Sequence, residues 1–354
     1  MNHRFTAIDL FSGCGGLTTG LKHAGFSVIG AVEIDNKARE TYSLNHPEVN
    51  FLGTDIREIN IISLKRKLKI KKGDLDLLAG CPPCQGFSTL RTKNKNTHIN
   101  DERNNLIDNF KDFITVFLPK TIMMENVAGL AKYDRFISFV NYIKKLGYDV
   151  IYQIQDVSLY GVPQRRKRLI LIASRIGKAI LAENKNIKKT TVRDAISSLP
   201  DSGLSGDELH DLPTKLSLKV SQIIASIPKN GGSRSSLPDH LQLLCHKKTN
   251  GFNDVYGRMK WDDLSPTITS GCTNPSKGRF IHPEYDRPIS LREAALLQTF
   301  PLDYKFNTSH GKIAIALMLG NALPPKFIYE HAKTIMEEIK NANSRINKKN
   351  TKRF

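Results

Sequence analysis

The chain has 354 residues, enough for one large core and a smaller companion domain. Its 40% hydrophobic and 25% charged content is that of a globular protein and excludes a disordered or fibrous one. A net charge of +19, from 53 Lys+Arg against 34 Asp+Glu, points toward polyanions, nucleic acid above all. Runs such as Ile313–Leu319 fall far short of a bilayer span, and Asp9 inside the first apolar stretch argues against a signal peptide. Five cysteines, few and odd in number, suit a reducing interior, so a cytoplasmic protein without membrane contact is expected.

Strands are predicted at Phe5–Phe11, Ser27–Glu33, Leu75–Gly80, Thr121–Glu125, Asp149–Gln155 and Leu169–Ala173. Helical patterns lie between them at Leu17–Ala24, Asn36–Asn45, Leu106–Phe117 and Phe136–Leu146. The βαβ rhythm predicts an α/β fold, a doubly wound and mostly parallel sheet with helices on both faces. The basic stretch Lys65–Lys72 reads as solvated surface, in a segment with Ile59, Ile62 and Leu68 at helix-like spacing. From about Gly177 to Asp262 the rhythm fails and Gly, Pro, Ser, Asn and His accumulate, which reads as a separate, loop-rich module. Helices return at Ser290–Thr299, at Lys312–Met318 and from Pro325 to Ile339, with a polar, frayed tail from Lys340 to Phe354. The expected division is a domain over 1–195, a second with a hinge over 196–311, and a segment 312–354 returning to the first.

The first strand runs into Asp9-Leu10-Phe11-Ser12-Gly13-Cys14-Gly15-Gly16 and then a helix. A glycine-rich turn there lets backbone approach a ligand at a helix start. Thr18 stands where the dinucleotide fingerprint has its third glycine. Glu33 and Ile34 end the second strand, with the carboxylate where ribose hydroxyls would lie, and Asp55-Ile56 suits an adenine amino group. No Gly-x-x-x-x-Gly-Lys-[Ser/Thr] loop is present, so the adenosine ligand is a nicotinamide cofactor or S-adenosylmethionine.

The chemistry is expected at Gly80-Cys81-Pro82-Pro83-Cys84-Gln85-Gly86-Phe87-Ser88, where two prolines stop a buried strand and present a thiol at its carboxyl end. A structural cysteine and a redox or zinc pair compete with a nucleophile, although no second Cys-x-x-Cys supplies further metal ligands. Glu125 ends the next strand, where a carboxylate can share a proton with a ring nitrogen. In Arg165-Arg166-Lys167-Arg168, alternation should point Arg166 and Arg168 to one face. Thiol, carboxylate and guanidinium beside a sulfonium donor suit methylation at carbon 5 of cytosine, because thiolate attack on carbon 6 makes carbon 5 nucleophilic.

Together these motifs resemble the DNA (cytosine-5)-methyltransferases, in that family's order: Asp9–Gly16, Pro82-Pro83-Cys84-Gln85, Glu125-Asn126-Val127, Gln164-x-Arg166-x-Arg168, Arg292-Glu293-Ala294-Ala295-x-x-Gln298 and Gly320-Asn321-Ala322-Leu323-Pro324-Pro325. The resemblance implies a Rossmann-like S-adenosylmethionine-dependent fold and a smaller target-recognition domain. It implies Cys84 as nucleophile, Glu125 on N3 and the amino group, Arg168 on O2, and Arg166 supporting the loop. Asp9, Leu10, Phe11, Ser12, Gly13, Gly15, Gly16, Glu33, Ile34, Asp55, Ile56, Pro82, Leu106, Asn321 and Ala322 would line the cofactor pocket. Gln85, Ser88, Arg91, Gln164 and Arg234 would contact double-stranded DNA, with Ser88–Asn100 as a loop closing over it. The target base must be flipped out to be reached. The resemblance implies no metal and leaves room for a companion restriction endonuclease; a monomer associated with the nucleoid is expected.

Two departures stand out: Leu323 where valine is usual, and Cys81 where glycine often stands. Alternatives are a tRNA methyltransferase, whose Cys-Phe-Thr signature is absent, a catalytically inactive DNA-binding homologue, and an NAD dehydrogenase, which the glycine spacing disfavours.

Overall fold

The structure is a computed structural model that describes residues 4–83, 106–184, 187–243 and 254–351, with side chains to 345. Contacts divide it into two compact units, one of Met1–Asp156, Lys167–Lys185 and Phe327–Phe354, the other of Val157–Arg166 and Asn186–Lys326.

The first unit is built on β1 (Thr6–Leu10), β2 (Ser27–Val32), β3 (Phe51–Gly53), β4 (Leu77–Gly80), β5 (Thr121–Val127), β6 (Asp149–Asp156) and β7 (Lys167–Ser174). They form one sheet in the order β3-β2-β1-β4-β5-β7-β6. Strands β1 to β5 pair in parallel, whereas β7 runs antiparallel to both β5 and β6. The expected α/β fold is therefore present, and β7 makes the sheet mixed. The chain winds outward in both directions from β1 and β4, so a crevice opens at their carboxyl ends, where open α/β sheets collect ligands.

Predicted strand ends shift by one or two residues, and β3 was not foreseen: three residues are too few for alternation to register. The helix-like spacing in the basic stretch is α3 (Ile61–Lys67), capped by the Asn60 side chain accepting from Ser63 N–H at 3.0 Å and buried only at Leu64. The frayed tail is corrected too, because the closing helix continues from Pro325 to Thr351. Its i, i+3 and i+4 apolar positions persist past Ile339 as far as buried Ala342, and that packing outweighs the polar composition.

Strand β4, Leu-Leu-Ala-Gly, is buried along its length, as a central parallel strand covered on both faces must be. On one face Phe110, Phe113 and Phe117 of helix Leu106–Phe117 and Phe136 of helix Asp134–Lys145 pack with Leu78, Ile122 and Leu171 in one core. Gly80 is required there: a Cβ would stand 2.8 Å from the Leu10 carbonyl oxygen and 2.8 Å from the Phe110 ring. At the amino ends of the strands, buried Asp76 accepts from Thr6 N–H at 2.9 Å and pairs with Lys120 at 2.7 Å, tying β1, β4 and β5 together.

Asp9 on β1 is fully buried. The Thr18 hydroxyl, on α1 (Gly16–His23), donates to its carboxylate at 2.7 Å and lies 2.8 Å from Tyr42 Oη on α2 (Asn36–Asn45). A hydroxyl at position 18 thus joins strand and two helices, which a third glycine could not do. Burial pushes the Asp9 pKa up to about 7, against the Thr18 hydrogen bond and with help from the Glu33 charge.

The second unit has short helices at Val192–Ile196, Glu208–Asp211, Leu218–Ala225 and Leu291–Leu297, then Gly311–Asn321. With few ladders, its carbonyls need other donors. Arg258, fully buried, supplies them: Nε donates to Ile227 O at 2.9 Å, Nη1 to Tyr285 O at 2.7 Å and His282 O at 3.0 Å, and Nη2 to Ile224 O at 2.9 Å. Nη2 also meets the Asp286 carboxylate. Around it pack Ile223, Ile224, Ile227, Leu237, Tyr256 and Ile281.

Arg258→Met should cost about 3–5 kcal/mol, the scale for stranding buried polar partners. Urea titration followed by fluorescence of Trp261, the only tryptophan of the chain, will measure it, and an unchanged midpoint refutes the assignment.

Asp9 makes a second prediction. Unfolded, it ionises near 3.8; folded, near 7. In between, the folded state keeps a proton that the unfolded state has lost, so this contribution to stability is complete below pH 3.8 and declines as pH rises toward 7. Across that window Asp9→Asn should flatten the decline by a few kcal/mol, to order of magnitude. Wild-type steepness in the variant would refute it.

Candidate active site

Strand register lines up four carboxyl ends. Leu10 pairs with Val32 on one side and with Gly80 on the other, and Gly80 pairs with Met124. The residues that follow, the Phe11–Gly16 turn, Glu33, Cys81–Pro83 and Glu125, therefore share one edge of the first unit.

In the turn, Phe11 adopts φ 62°, Gly13 54° and Gly15 97°, left-handed conformations that reverse the chain into α1 within a few residues. Gly13 N–H donates to Glu33 Oε2 at 2.8 Å, and Asp35 N–H donates to Oε1 at 2.8 Å. Burial raises the Glu33 pKa, and these two donors pull it back. Each carboxylate oxygen keeps further acceptor capacity, as a diol ligand requires. Ile34 beside it is 62% exposed, an apolar surface offered to a flat ring.

Among the other residues expected in the pocket, the side chains of Asp9, Leu10 and Ile56 are buried, and the Ser12 hydroxyl donates to Val32 O at 3.4 Å. Gly16 opens α1 and Leu106 opens its helix. Asp55 is held by Arg57, whose Nε lies 2.9 Å and Nη2 2.5 Å from its oxygens, and this pairing lowers its pKa. Asn321 and Ala322 belong to the second unit, at the end of helix Gly311–Asn321.

At the chemistry end, Glu125 is 5% exposed and Arg168 Nε stands 2.9 Å from its Oε1. Antiparallel pairing makes this possible: β7 runs back along β5 with Arg168 opposite Val127 and Ile170 opposite Glu125. Asn126 Nδ2 donates to Pro82 O at 2.8 Å and ties the β5 end to the Pro-Pro turn. Cys84, Gln85, Ser88 and Arg91 lie outside the described residues, as does Cys245–Lys248. Of the thiols described, Cys14 and Cys272 are buried, and desolvation pushes each up to about 12. Cys81 is held well above the thiol range by desolvation, then by the Glu125 and Asp9 charges. None of the three is poised as a thiolate.

Arg166 does not share a strand face with Arg168. Strand β7 begins at Lys167, and the buried Arg166 guanidinium donates to Ile268 O at 3.1 Å, Gly320 O at 3.3 Å and Ala322 O at 3.2 Å within the second unit. Gln164, expected at DNA, is fully buried: its Nε2 donates to Gln298 Oε1 at 3.0 Å and its Oε1 accepts from Ile268 N–H at 3.0 Å. Both are internal clamps, and Gln164 joins two motifs that lie far apart in the chain. Arg234 is partly exposed in the second unit, and the preceding Gly231-Gly232 is a tight turn, where a Cβ on Gly232 would stand 2.3 Å from Pro228 O. No described helix is long and apolar enough to cross a membrane.

Comparison with known proteins agrees with this architecture. The family model of C-5 cytosine-specific DNA methylases matches residues 5–337. The type II methylase M.HgiDII of Herpetosiphon aurantiacus is 37% identical over 335 residues, covering 90% of this chain and 91% of that protein. The type II methyltransferase M1.HphI of Haemophilus parahaemolyticus is 31% identical over 342 residues, covering 94% and 87%. The solved S. pombe Dnmt2 methyltransferase shares the fold, with TM-score 0.68 at 19% identity over 95% of this chain and 100% of that one. Since the family match runs through both units and every motif along the way, the chain belongs to the C-5 cytosine-specific DNA methylase family and is a DNA (cytosine-5)-methyltransferase.

Proposed function

We propose that this protein methylates carbon 5 of a flipped-out cytosine within a specific duplex sequence, through a covalent bond from Cys84 to carbon 6. The observation that carries the reading is the Glu125–Arg168 pair, 2.9 Å apart at the strand end beside the Pro82-Pro83 turn that leads into Cys84. Enzymes of this family take the methyl group from S-adenosylmethionine, whose sulfonium makes that carbon electrophilic. The residues fit such a molecule: Glu33 for the ribose hydroxyls, the Phe11–Gly16 turn for close backbone approach, and Ile34 for the adenine face.

The chain's own groups divide the work. Cys84 Sγ adds to carbon 6, which splits one hard substitution into easier steps and leaves carbon 5 electron-rich. Glu125 holds N3 and the exocyclic amine, and Arg168 donates to O2 while keeping Glu125 in place. Once carbon 5 has gained the methyl group, loss of its proton to water expels the thiolate and restores the aromatic ring. Arg166 and Gln164 act at a distance, by holding the backbone of the second unit.

The module from about Gly203 to Asn253 reads the target sequence, and the +19 charge favours binding to the phosphates around it. Type II relatives come from restriction-modification systems, so a companion endonuclease and action in the cytoplasm on chromosomal DNA follow from this reading. The protein works as a monomer on it.

Glu33→Ala should weaken S-adenosylmethionine binding by about 1–3 kcal/mol, the scale of charge-assisted hydrogen bonds. Titration calorimetry measures it, and unchanged affinity removes Glu33 from the site.

Duplex DNA with 5-fluorocytosine at the target should trap wild-type enzyme as a denaturation-resistant adduct when cofactor is present, since fluorine cannot leave as a proton. Cys84→Ser should give almost none, while Cys81→Ala should still form it. An adduct that survives Cys84→Ser and is lost in Cys81→Ala reverses the assignment. No adduct from any variant on DNA that binds would mark an inactive homologue.

A further inference from the structure

Glu125 is gripped from one side by Arg168, and the other side is occupied by a residue with no role in the reaction as proposed. Strands β4 and β5 run in parallel with Gly80 opposite Met124, so the next register position sets Cys81 beside Glu125. Cys81 is still held by the sheet there, since its N–H donates to Leu10 O at 3.3 Å. One residue further on, the Asn126 side chain binds the Pro82 carbonyl at 2.8 Å, which prevents the two chain ends from separating. In-register neighbours of parallel strands project to the same face.

We propose that Cys81 is a positioning residue for the methylation reaction, its S–H holding the Glu125 carboxylate from the β4 side while Arg168 holds it from the β7 side. The proposal rests on the catalytic reading of Glu125 and adds a part to it. A carboxylate turns readily about its terminal torsion, so one anchor leaves its plane free and two fix it. That plane matters, because Glu125 must meet N3 and the exocyclic amine edge-on. The thiol suits the task by remaining protonated: desolvation and the charges of Glu125 and Asp9 keep the hydrogen on sulfur. Among the described residues, the charged or titratable groups facing Glu125 include Arg168 from β7 and Cys81 just past β4, with Asp9 of β1 beyond Cys81. A glycine, frequent at this position in the resemblance drawn above, would supply no donor.

The test is steady-state methylation of target duplex by full-length Cys81→Ala and Cys81→Ser across pH, with melting temperature and cofactor affinity as folding controls. Cys81→Ala should lose about five- to tenfold in kcat, the scale of one hydrogen bond, with KM for DNA little changed. Its acid limb should move to higher pH, because the ionised carboxylate loses a donor. Cys81→Ser keeps a donor and should restore both. A wild-type kcat and pH profile in Cys81→Ala overturns the proposal, as does a serine variant no better than alanine, which would make volume the cause. An independent measurement needs no Cys81 variant: in the infrared difference spectrum of wild type against Glu125→Gln, a thiol S–H band should shift, and a spectrum without one overturns the proposal. If Glu125→Gln methylates at the wild-type rate, the catalytic reading of Glu125 fails instead.

Discussion

The antiparallel entry of β7 between β5 and β6 is the constraint on which the reacting end depends. In a purely parallel sheet, the residue beside Glu125 would come from another strand's carboxyl end, followed by a loop. Reversal of β7 instead delivers Arg168, the second residue of the strand, to the edge where β5 finishes. The guanidinium reaches Glu125 from within regular structure, and the eight-residue pairing of β7 with β6 anchors it from behind. The Glu125 carboxylate and its partner are thereby mounted on strands, which hold geometry better than loops do, as the proposed catalytic role requires. The Cys81–Pro83 turn adds the third side of this frame.

The two units solve the problem of backbone satisfaction in different ways. The first closes its hydrogen bonds through sheet and helix, leaving side chains such as Asp76 and Thr18 for the junctions. The second has little regular structure and buries arginines instead. Arg258 alone serves four carbonyls, Arg166 serves three, and Arg292 donates to Tyr304 O while pairing with Asp207. A guanidinium has five donors in a fixed fork, so it can gather several loop segments at one point. Such an interior leaves the surface loops free to vary, which suits the target-reading role proposed for this unit.

Charge in the first unit is arranged with comparable economy. Asp9 and Glu33 are both pushed toward the protonated form by burial, one inside the turn and one at its lip. Only Glu33 is held by backbone donors from two directions, through Gly13 and Asp35, and only Glu33 reaches the strand edge. Asp9 instead joins the strand to two helices through Thr18 and Tyr42, so the two acids are held in different ways.

By itself the sequence determined a great deal. Apolar runs alternating with amphipathic patterns specified six of the seven strands and the helices at Asn36–Asn45 and Leu106–Phe117 to the residue. The motif order carried the family, because each motif is local and needs no knowledge of its neighbours. Only the tertiary structure decided which motif residues face inward. The side chains of Gln164, Arg166, Asp9 and Leu10 are all buried, with Gln164 and Arg166 bonded to the backbone of the second unit, and periodicity cannot tell a polar side chain aimed at a ligand from one aimed at a distant carbonyl. Tertiary structure alone also set the direction of β7, since an apolar strand reads the same in either sense, and with it the Arg168–Glu125 pair. It brought Cys81 beside Glu125 as well, because that neighbour is made by register between strands more than forty residues apart, and no local pattern encodes it.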